Sequence, residues 1–305
     1  MLVNLILWGC AAYRTQLFLY LKACDREELN TMNLSAGVDS STARTPIMRV
    51  AVLNDIHANL PALEAVLEEV QQAHVDLVVL GGDVLPGPML RETLARLSAL
   101  TVPVRCIRGN GELALLAQLD AARPEDVTYW GTTGGFVLPE RYREWIRWAA
   151  RQLQPEETTM LRSWPKTLRL RIGRIGEVIF CHGTPTSEID AFTRLTPEDV
   201  LVPVFRGLGV PLVVCGHTHM QFDRMIGATR VVNAGSVGSP FGRTGADWLL
   251  LDPDVQLRHT SYDLEAAAAR VRATPFPGAQ EFADLNILRP PSEEVMLEAF
   301  TRISF

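Results

Sequence analysis

From Met48 onward the apolar positions fall into two alternating rhythms. Short, nearly continuous apolar runs at Arg49–Leu53, Val75–Leu80 and Val102–Ile107 read as strands, the middle one buried on both faces. Between the first two, Leu60, Leu63, Val66, Leu67 and Val70 recur at the spacing of one helix face. This predicts a helix over Leu60–Ala73, with Asn59 as its cap and Pro61 in its first turn. Leu90–Leu100 repeats the pattern as a second amphipathic helix. Strand–helix–strand–helix–strand is the signature of a parallel sheet with right-handed crossovers. Further along, the strands Thr167–Ile172 and Glu177–Phe180 flank the glycine-bounded link Gly173–Gly176, a hairpin signal. A helix at Pro197–Leu208 leads to a strand at Pro211–Cys215, and Phe222–Ile226 and Arg230–Val232 flank a second hairpin turn at Gly227–Thr229. Trp248–Leu251 and Gln256–Thr260 close the sheets, followed by an alanine-rich helix at Leu264–Ala273. The order suits an α/β protein with two sheets packed face to face, each covered by helices.

Three segments depart from this rhythm. Residues 112–165 are mostly helical in pattern, carry Trp130, Trp145, Trp148 and Trp164, and are broken at Gly131–Gly135. They read as a helical insert beside the site, with the tryptophans as core of a small helical layer. Residues 275–305 read as a tail of loop plus a short helix, packing on the domain formed by residues 48–274. Residues 1–47 are set aside as an extension, disordered or an upstream mis-called start. Their apolar run is short and has no basic residue before it, which fits a secretory signal poorly. Arg14, Thr15, Gln16 and Lys22 interrupt it too often for a transmembrane helix, and residues 35–46 are linker-like.

Composition narrows the function classes. The chain has 305 residues, 47% hydrophobic and 21% charged, ordinary for a globular protein. A net charge of −6 without any block of like charges speaks against a long nucleic acid as partner. Five cysteines, with no metal-knuckle or redox spacing among them, point to a reduced, cytoplasmic setting. No membrane partner is expected, and the oligomeric state stays open.

The chemistry gathers where strands run out. Asn54-Asp55-Ile56-His57 follows the first strand, Gly82-Asp83 the second and Gly109-Asn110 the third. Cys181-His182-Gly183 and Gly216-His217-Thr218-His219 follow two later strands in the same way. Of six histidines, four sit at these glycine-marked strand ends; His74 at a helix end and His259 in a strand read as structural. Asp55, His57, Asp83, Asn110, His182, His217 and His219 form a mixed oxygen and nitrogen set, suited to manganese, iron or zinc more than to calcium or magnesium. Seven protein ligands are too many for one catalytic ion with an open position, and suit two ions sharing a carboxylate. His217 and His219, in a loop, can divide between the two.

Taken in order, Asp55-Ile56-His57, Gly82-Asp83 with Gly87, Gly109-Asn110, Cys181-His182-Gly183 and Gly216-His217-Thr218-His219 resemble the motif set of the calcineurin-like metallophosphoesterase superfamily. Asn233-Ala234-Gly235-Ser236-Val237-Gly238 adds a likeness to its small prokaryotic branch, close to phosphodiesterases. The resemblance spans about Met48 to Thr260 and implies a four-layer α/β/β/α sandwich. It further implies that Asp55, His57 and His219 hold one divalent ion, that Asn110, His182 and His217 hold the other, and that Asp83 bridges them. Manganese is the favoured metal, with iron, zinc or nickel as alternatives. The implied reaction is hydrolysis of a small phosphoester, of the cyclic or small nucleotide diester type, by a hydroxide activated between the ions. A phosphomonoesterase, a serine/threonine protein phosphatase, or a non-catalytic scaffold of the same fold are the other options. Gly111 stands where many relatives carry a histidine credited with protonating the leaving group. Glu112 is then either a substitute acid beside Asp83 and Asn110, or a solvated helix-start carboxylate. Arg108 and Arg243 are candidate phosphate-binding residues, and Gly235–Gly242 a candidate substrate loop.

Overall fold

The computed structural model describes residues 48–121, 138–251 and 253–301. The extension 1–47, Trp130 with the Gly131–Gly135 break, and residues 302–305 lie outside these. In chain order, β1 (Val50–Leu53) leads to α1 (Leu60–Gln72), β2 (Leu77–Gly81), α2 (Leu90–Ser98) and β3 (Val104–Ile107). Three helices follow: α3 (Asn110–Asp120), α4 (Glu140–Gln152) and α5 (Pro155–Ser163). Then come β4 (Thr167–Ile172), β5 (Gly176–Cys181), α6 (Glu198–Phe205) and β6 (Leu212–Cys215). The hairpin β7 (Phe222–Ile226) and β8 (Thr229–Asn233) precedes β9 (Ala246–Leu251) and β10 (Val255–Thr260). The chain closes with α7 (Leu264–Arg272), α8 (Ala279–Phe282), a π-helical stretch Ala283–Leu288 and α9 (Glu293–Thr301). Strand edges fall within one or two residues of the pattern reading.

The strands form two five-stranded sheets, ordered β10-β9-β1-β2-β3 and β4-β5-β6-β8-β7. β1, β2 and β3 run parallel, with Val50 opposite Leu77 and Val78 opposite Val104. β5, β6 and β8 are parallel in the second sheet, with the β4–β5 and β7–β8 pairs antiparallel. The four-residue strand β1 shows how the layers are built. Val50 and Val52 face the second sheet, among Val79, Ile107, Phe180, Val214 and Val232. Ala51 and Leu53 face the other way, onto the α1–α5 side with Leu63, Val66 and Trp164. The outer face of the second sheet is covered by α6 through Leu201 and Phe205. The α/β/β/α order follows, because each strand residue alternates between an inter-sheet core and a helix-covered core.

Helix α1 forms as its spacing predicts: Leu63, Val66, Leu67 and Val70 are buried, and the Asn59 side chain accepts from the Ala62 N–H. Trp164 and Trp148 pack in the helix-side core. The tail is more structured than loop plus one short helix. Phe276, Phe282, Ala283 and Ile287 are buried with Leu60, Met89 and α7 in a cluster of their own, against which Trp145 packs.

Candidate metal centre

All five strand-end segments meet at the carboxyl ends of β1, β2, β3, β5 and β6, where open α/β sheets place their ligands. Backbone hydrogen bonds stitch the loops together. Asp55 N–H donates to Gly82 O, His57 N–H to Asp83 O and Gly216 N–H to His182 O. The Ser236 hydroxyl donates to Asp55 O at 2.7 Å. Asp55, His57, Asp83, His217 and His219 all have positive φ, between 48° and 67°. A non-glycine residue held there costs about 1–3 kcal/mol. Five of them together cost on the order of 5–15 kcal/mol, comparable to the net stability of a domain. The strain persists because the strands below are pinned in two cores, and its concentration on ligand positions marks a functional site.

The side chains sort into two groups that share carboxylates. On one side, His57 and His219 bring their Nε2 atoms within 3.1 Å of each other, with Asp55 Oδ1 at 3.9 and 3.3 Å from them. On the other, His182 Nε2 lies 3.0 Å from Asn110 Oδ1 and 3.5 Å from Asp83 Oδ1. The His217 ring packs edge-on to His182 at 5.0 Å. Asp83 stands between, its Oδ2 reaching His57 Nε2 at 3.8 Å. Asp55 Oδ1 is also 3.8 Å from His182 Nε2 and so takes part in both groups. Within the last segment, the His219 ring lies against His57 and the His217 ring against His182. Asp55 and His57 also converge, through left-handed turns and not through the strand geometry that would put them on one face.

The donor set fits cations. His182 Nδ1 is 3.0 Å from Gly81 O, and His219 Nδ1 is 2.7 Å from Ser239 O. A carbonyl oxygen only accepts, so each Nδ1 carries the proton and each Nε2 turns its lone pair inward. Asp55 Oδ1 is buried and has no hydrogen-bond partner, while its Oδ2 accepts from the His217 N–H at 2.9 Å. Lone pairs facing one another around an orphaned carboxylate oxygen call for positive charge between them. Burial alone would raise the Asp55 carboxyl, but protons on the inward His219 and His182 nitrogens, standing in for a cation, hold it below the usual carboxylate range. Burial, then the neighbouring His182, pushes His217 down to about 4. Burial and His219 lower His57 as well, so both rings are neutral donors near pH 7. The adjacent thiols of Cys181 and Cys215 are raised by burial, and Cys181 Sγ faces the Gly183 and Val214 carbonyls at 3.8 Å.

Glu112 is neither at the pocket wall nor solvated. Its side chain is fully buried. One oxygen accepts from the N–H groups of Asp83 and Gly109 at 2.9 and 2.8 Å, the other from Leu85 N–H at 3.0 Å. It therefore braces the loop that carries Asp83. Burial, with the Asp83 carboxylate next, pushes it up to about 7. At Gly111 a side chain has no room: a Cβ would lie 2.2 Å from Leu85 O. Arg108 pairs with Glu188 at 2.8 Å, and Arg243 bonds Asp247 at 2.6 Å and Gln221 at 2.8 Å. Neither arginine lines the cavity that opens over the cluster, a space of about 370 Å³. His259 bonds Asp247 at 2.8 Å and belongs to that peripheral network, as a structural histidine should.

That cavity is lined by the candidate substrate loop Gly235–Gly242 together with residues the pattern reading did not place. Ser239 and Phe241 come from the glycine-rich loop, Tyr142, Trp145 and Ile146 from α4, and Phe282, Leu285 and Met296 from the tail. Trp145 is thus part of the pocket as well as of the tail's core. The signal for the tail was available: Phe276, Ala279, Phe282, Ala283 and Ile287 recur at three- and four-residue spacing.

Known proteins agree with this architecture. An uncharacterized protein of Methanocaldococcus jannaschii is 24% identical over 246 residues, covering 73% of this chain and 91% of its own length. A crystal structure of a hypothetical protein from Pyrococcus horikoshii superposes with a TM-score of 0.68 at 22% identity, over 80% of this chain and all of that one. A metallophosphoesterase from Sphaerobacter thermophilus does so with a TM-score of 0.61 at 24% identity, over 79% of this chain and 100% of that one. These two likenesses concern the fold. The profile of the calcineurin-like phosphoesterase superfamily domain matches residues 48–255, well over half of the chain. By that match the chain belongs to the calcineurin-like phosphoesterase superfamily and is a hydrolase acting on phosphoric ester bonds.

Proposed function

We propose that the protein hydrolyses a phosphodiester of the small or cyclic nucleotide type, using two divalent ions, manganese foremost. One observation carries this reading: the ligand atoms of Asp55, His57 and His219, and those of Asp55, Asp83 and His182, lie together in two groups sharing Asp55, with Asn110 3.0 Å from His182 and the His217 ring packed on it. Asp55, His57 and His219 would hold one ion, Asn110, His182 and His217 the other, with Asp83 between them. Bound there, a pair of ions supplies charge opposite the phosphate oxygens and a water of lowered pKa. The protein's own part is positioning. His182 and His219 are oriented by the Gly81 and Ser239 carbonyls, Asp55 by the His217 N–H, and the Asp83 loop by Glu112. Asn110 and Asp83 also face the cavity, where a phosphate would lie. With no side chain possible at 111, this chain lacks a general acid at that position, which favours diesters with good leaving groups. Among the described residues no helix is long and apolar enough to cross a membrane. The buried thiols Cys181 and Cys215 suit a reducing cytoplasm.

The test is a panel of bis-aryl phosphates, cyclic nucleotides, phosphomonoesters and phosphopeptides assayed with manganese. The reading expects manganese-stimulated turnover, fastest on diesters and lost in Asp83→Ala. Equal rates for Asp83→Ala and the wild type would refute the site. Absence of both bound metal and turnover would favour a scaffold role for the fold.

A further inference from the structure

The cavity over the ligand cluster has two unlike ends. His57, Asp83, Asn110 and His219 form one end, polar and electron-rich. The other end is built largely from apolar side chains of α4 and the tail. Tyr142 and Trp145 meet edge to face at 4.9 Å, and Leu285 is 46% exposed there, a large apolar side chain left facing the opening. Phe241 links the two ends: its ring lies nearly parallel to that of His219, with centroids 4.9 Å apart.

The apolar end is fastened to the metal-ligand loops. The Ser239 hydroxyl donates to Asn286 Oδ1 at 2.8 Å, and the same residue's carbonyl orients His219. Gly242 N–H donates to Pro291 O at 2.9 Å, and Arg141 pairs with Glu281 at 3.1 Å, joining α4 to α8. The tail, which lies beyond the stretch that matches the family profile, is therefore a fixed wall of the site.

We propose that this pocket selects phosphoesters carrying one bulky, weakly polar organic group, seated against Tyr142, Trp145, Ile146, Phe282, Leu285 and Met296. The proposal rests on the phosphoester reading above and adds the class of substrate. Among the described lining residues, the one formal charge at the apolar end is the Glu281 carboxylate. Arg141 neutralises it, so a second phosphate would find no unpaired positive charge among these lining residues, whereas an aryl, nucleobase or alkyl group would shed water on binding. A space of about 370 Å³ suits a single such group and not a polymer.

The experiment holds the leaving group constant and varies the other ester group. In methyl, hexyl, phenyl and 1-naphthyl p-nitrophenyl phosphates, water adds at phosphorus and loses a proton to solvent while p-nitrophenolate departs with the electron pair of the broken P–O bond. The full chain with manganese should show kcat/KM rising about tenfold or more from methyl to naphthyl. Leu285→Glu should cut the naphthyl-to-methyl ratio to within about threefold of one, with Leu285→Ala between. A naphthyl rate above the hexyl rate identifies a flat ring as the favoured group; the reverse identifies an alkyl chain. Calorimetric binding of 1-naphthylphosphonate against methylphosphonate gives the same comparison without turnover. Equal rates or equal affinities for the methyl and naphthyl compounds in the wild type overturn the proposal and leave the hydrolase reading intact. A binding preference without hydrolysis of any ester overturns the catalytic reading and leaves the pocket assignment standing.

Discussion

At the scale of single residues the site is held by partners that are mostly backbone. His219 is aimed by a carbonyl, Asp55 by an N–H, and the Asp83 loop by a carboxylate that accepts three N–H groups. His219→Ala should remove one donor from the Asp55 side, lowering metal content by one ion per chain and kcat/KM by more than about a hundredfold, beyond what loss of an outer partner costs. Metal analysis of the dialysed variant checks this. Glu112 gives a pH signature in the metal-free protein. Its carboxyl rises from 4.5 to about 7 on folding, so the fold favours the protonated form. That contribution is fully present below pH 4.5 and is lost as pH rises through about 7. Over this window the wild-type Tm should fall relative to that of Glu112→Gln; parallel Tm profiles would contradict the account. The candidate ligands were legible because a carboxylate or imidazole at the end of an apolar run, most often beside a glycine, has few packing explanations. The role of Glu112 was not, since its partners are the N–H groups of Asp83 and Leu85, distant along the chain and bearing no side-chain signal. Arg108 and Arg243 were misleading for a related reason: a basic residue near a motif in sequence can still bond outward, as both do here.

At the scale of elements, what matters is how closely the loops approach. A Cβ on Gly109 would lie 2.2 Å from Asp83 Oδ1 and 2.5 Å from the Asp83 backbone nitrogen. One on Gly216 would lie 2.5 Å from Asp55 Oδ2. Gly109→Ala should therefore displace the Asp83 loop and weaken metal binding by at least the roughly 10–100-fold typical of disturbed outer partners. Titration of the purified variant with manganese measures it. Strands and helices were read well from periodicity, because β1, β2 and β6 are buried on both faces and α1 on one. The tail was underread. Its apolar residues pack mainly on α4, α7 and one another, not on a sheet, and part of it is π-helical, so the helical period slips within Ala283–Leu288.

At the scale of the whole molecule the candidate metal centre joins the two sheets. Asp55, His57, Asp83 and Asn110 follow strands of the first sheet; His182, His217 and His219 follow strands of the second. Bound cations would thus act across the inter-sheet core as well as on the substrate. Occupied at about a hundred times Kd, one site adds about 2.7 kcal/mol to stability, or roughly 5–10 °C in Tm. Chelation should lower Tm by that order, and restored manganese should recover it. An unchanged Tm would mean that the loops do not clasp an ion in the folded state. The two-sheet architecture was visible from the order of strands and hairpins, whereas the tail's place in the pocket wall depends on contacts between segments far apart in the chain, such as Ser239 with Asn286 and Gly242 with Pro291.

The central claim is tested most directly by anomalous scattering from a manganese-soaked crystal. Two peaks per chain are expected, one beside Asp55, His57 and His219 and one beside Asn110, His182 and His217, with Asp83 reaching both. A map with no peak at the ends of β1, β2 and β5, or with ions bound elsewhere while these side chains stay empty, would contradict it.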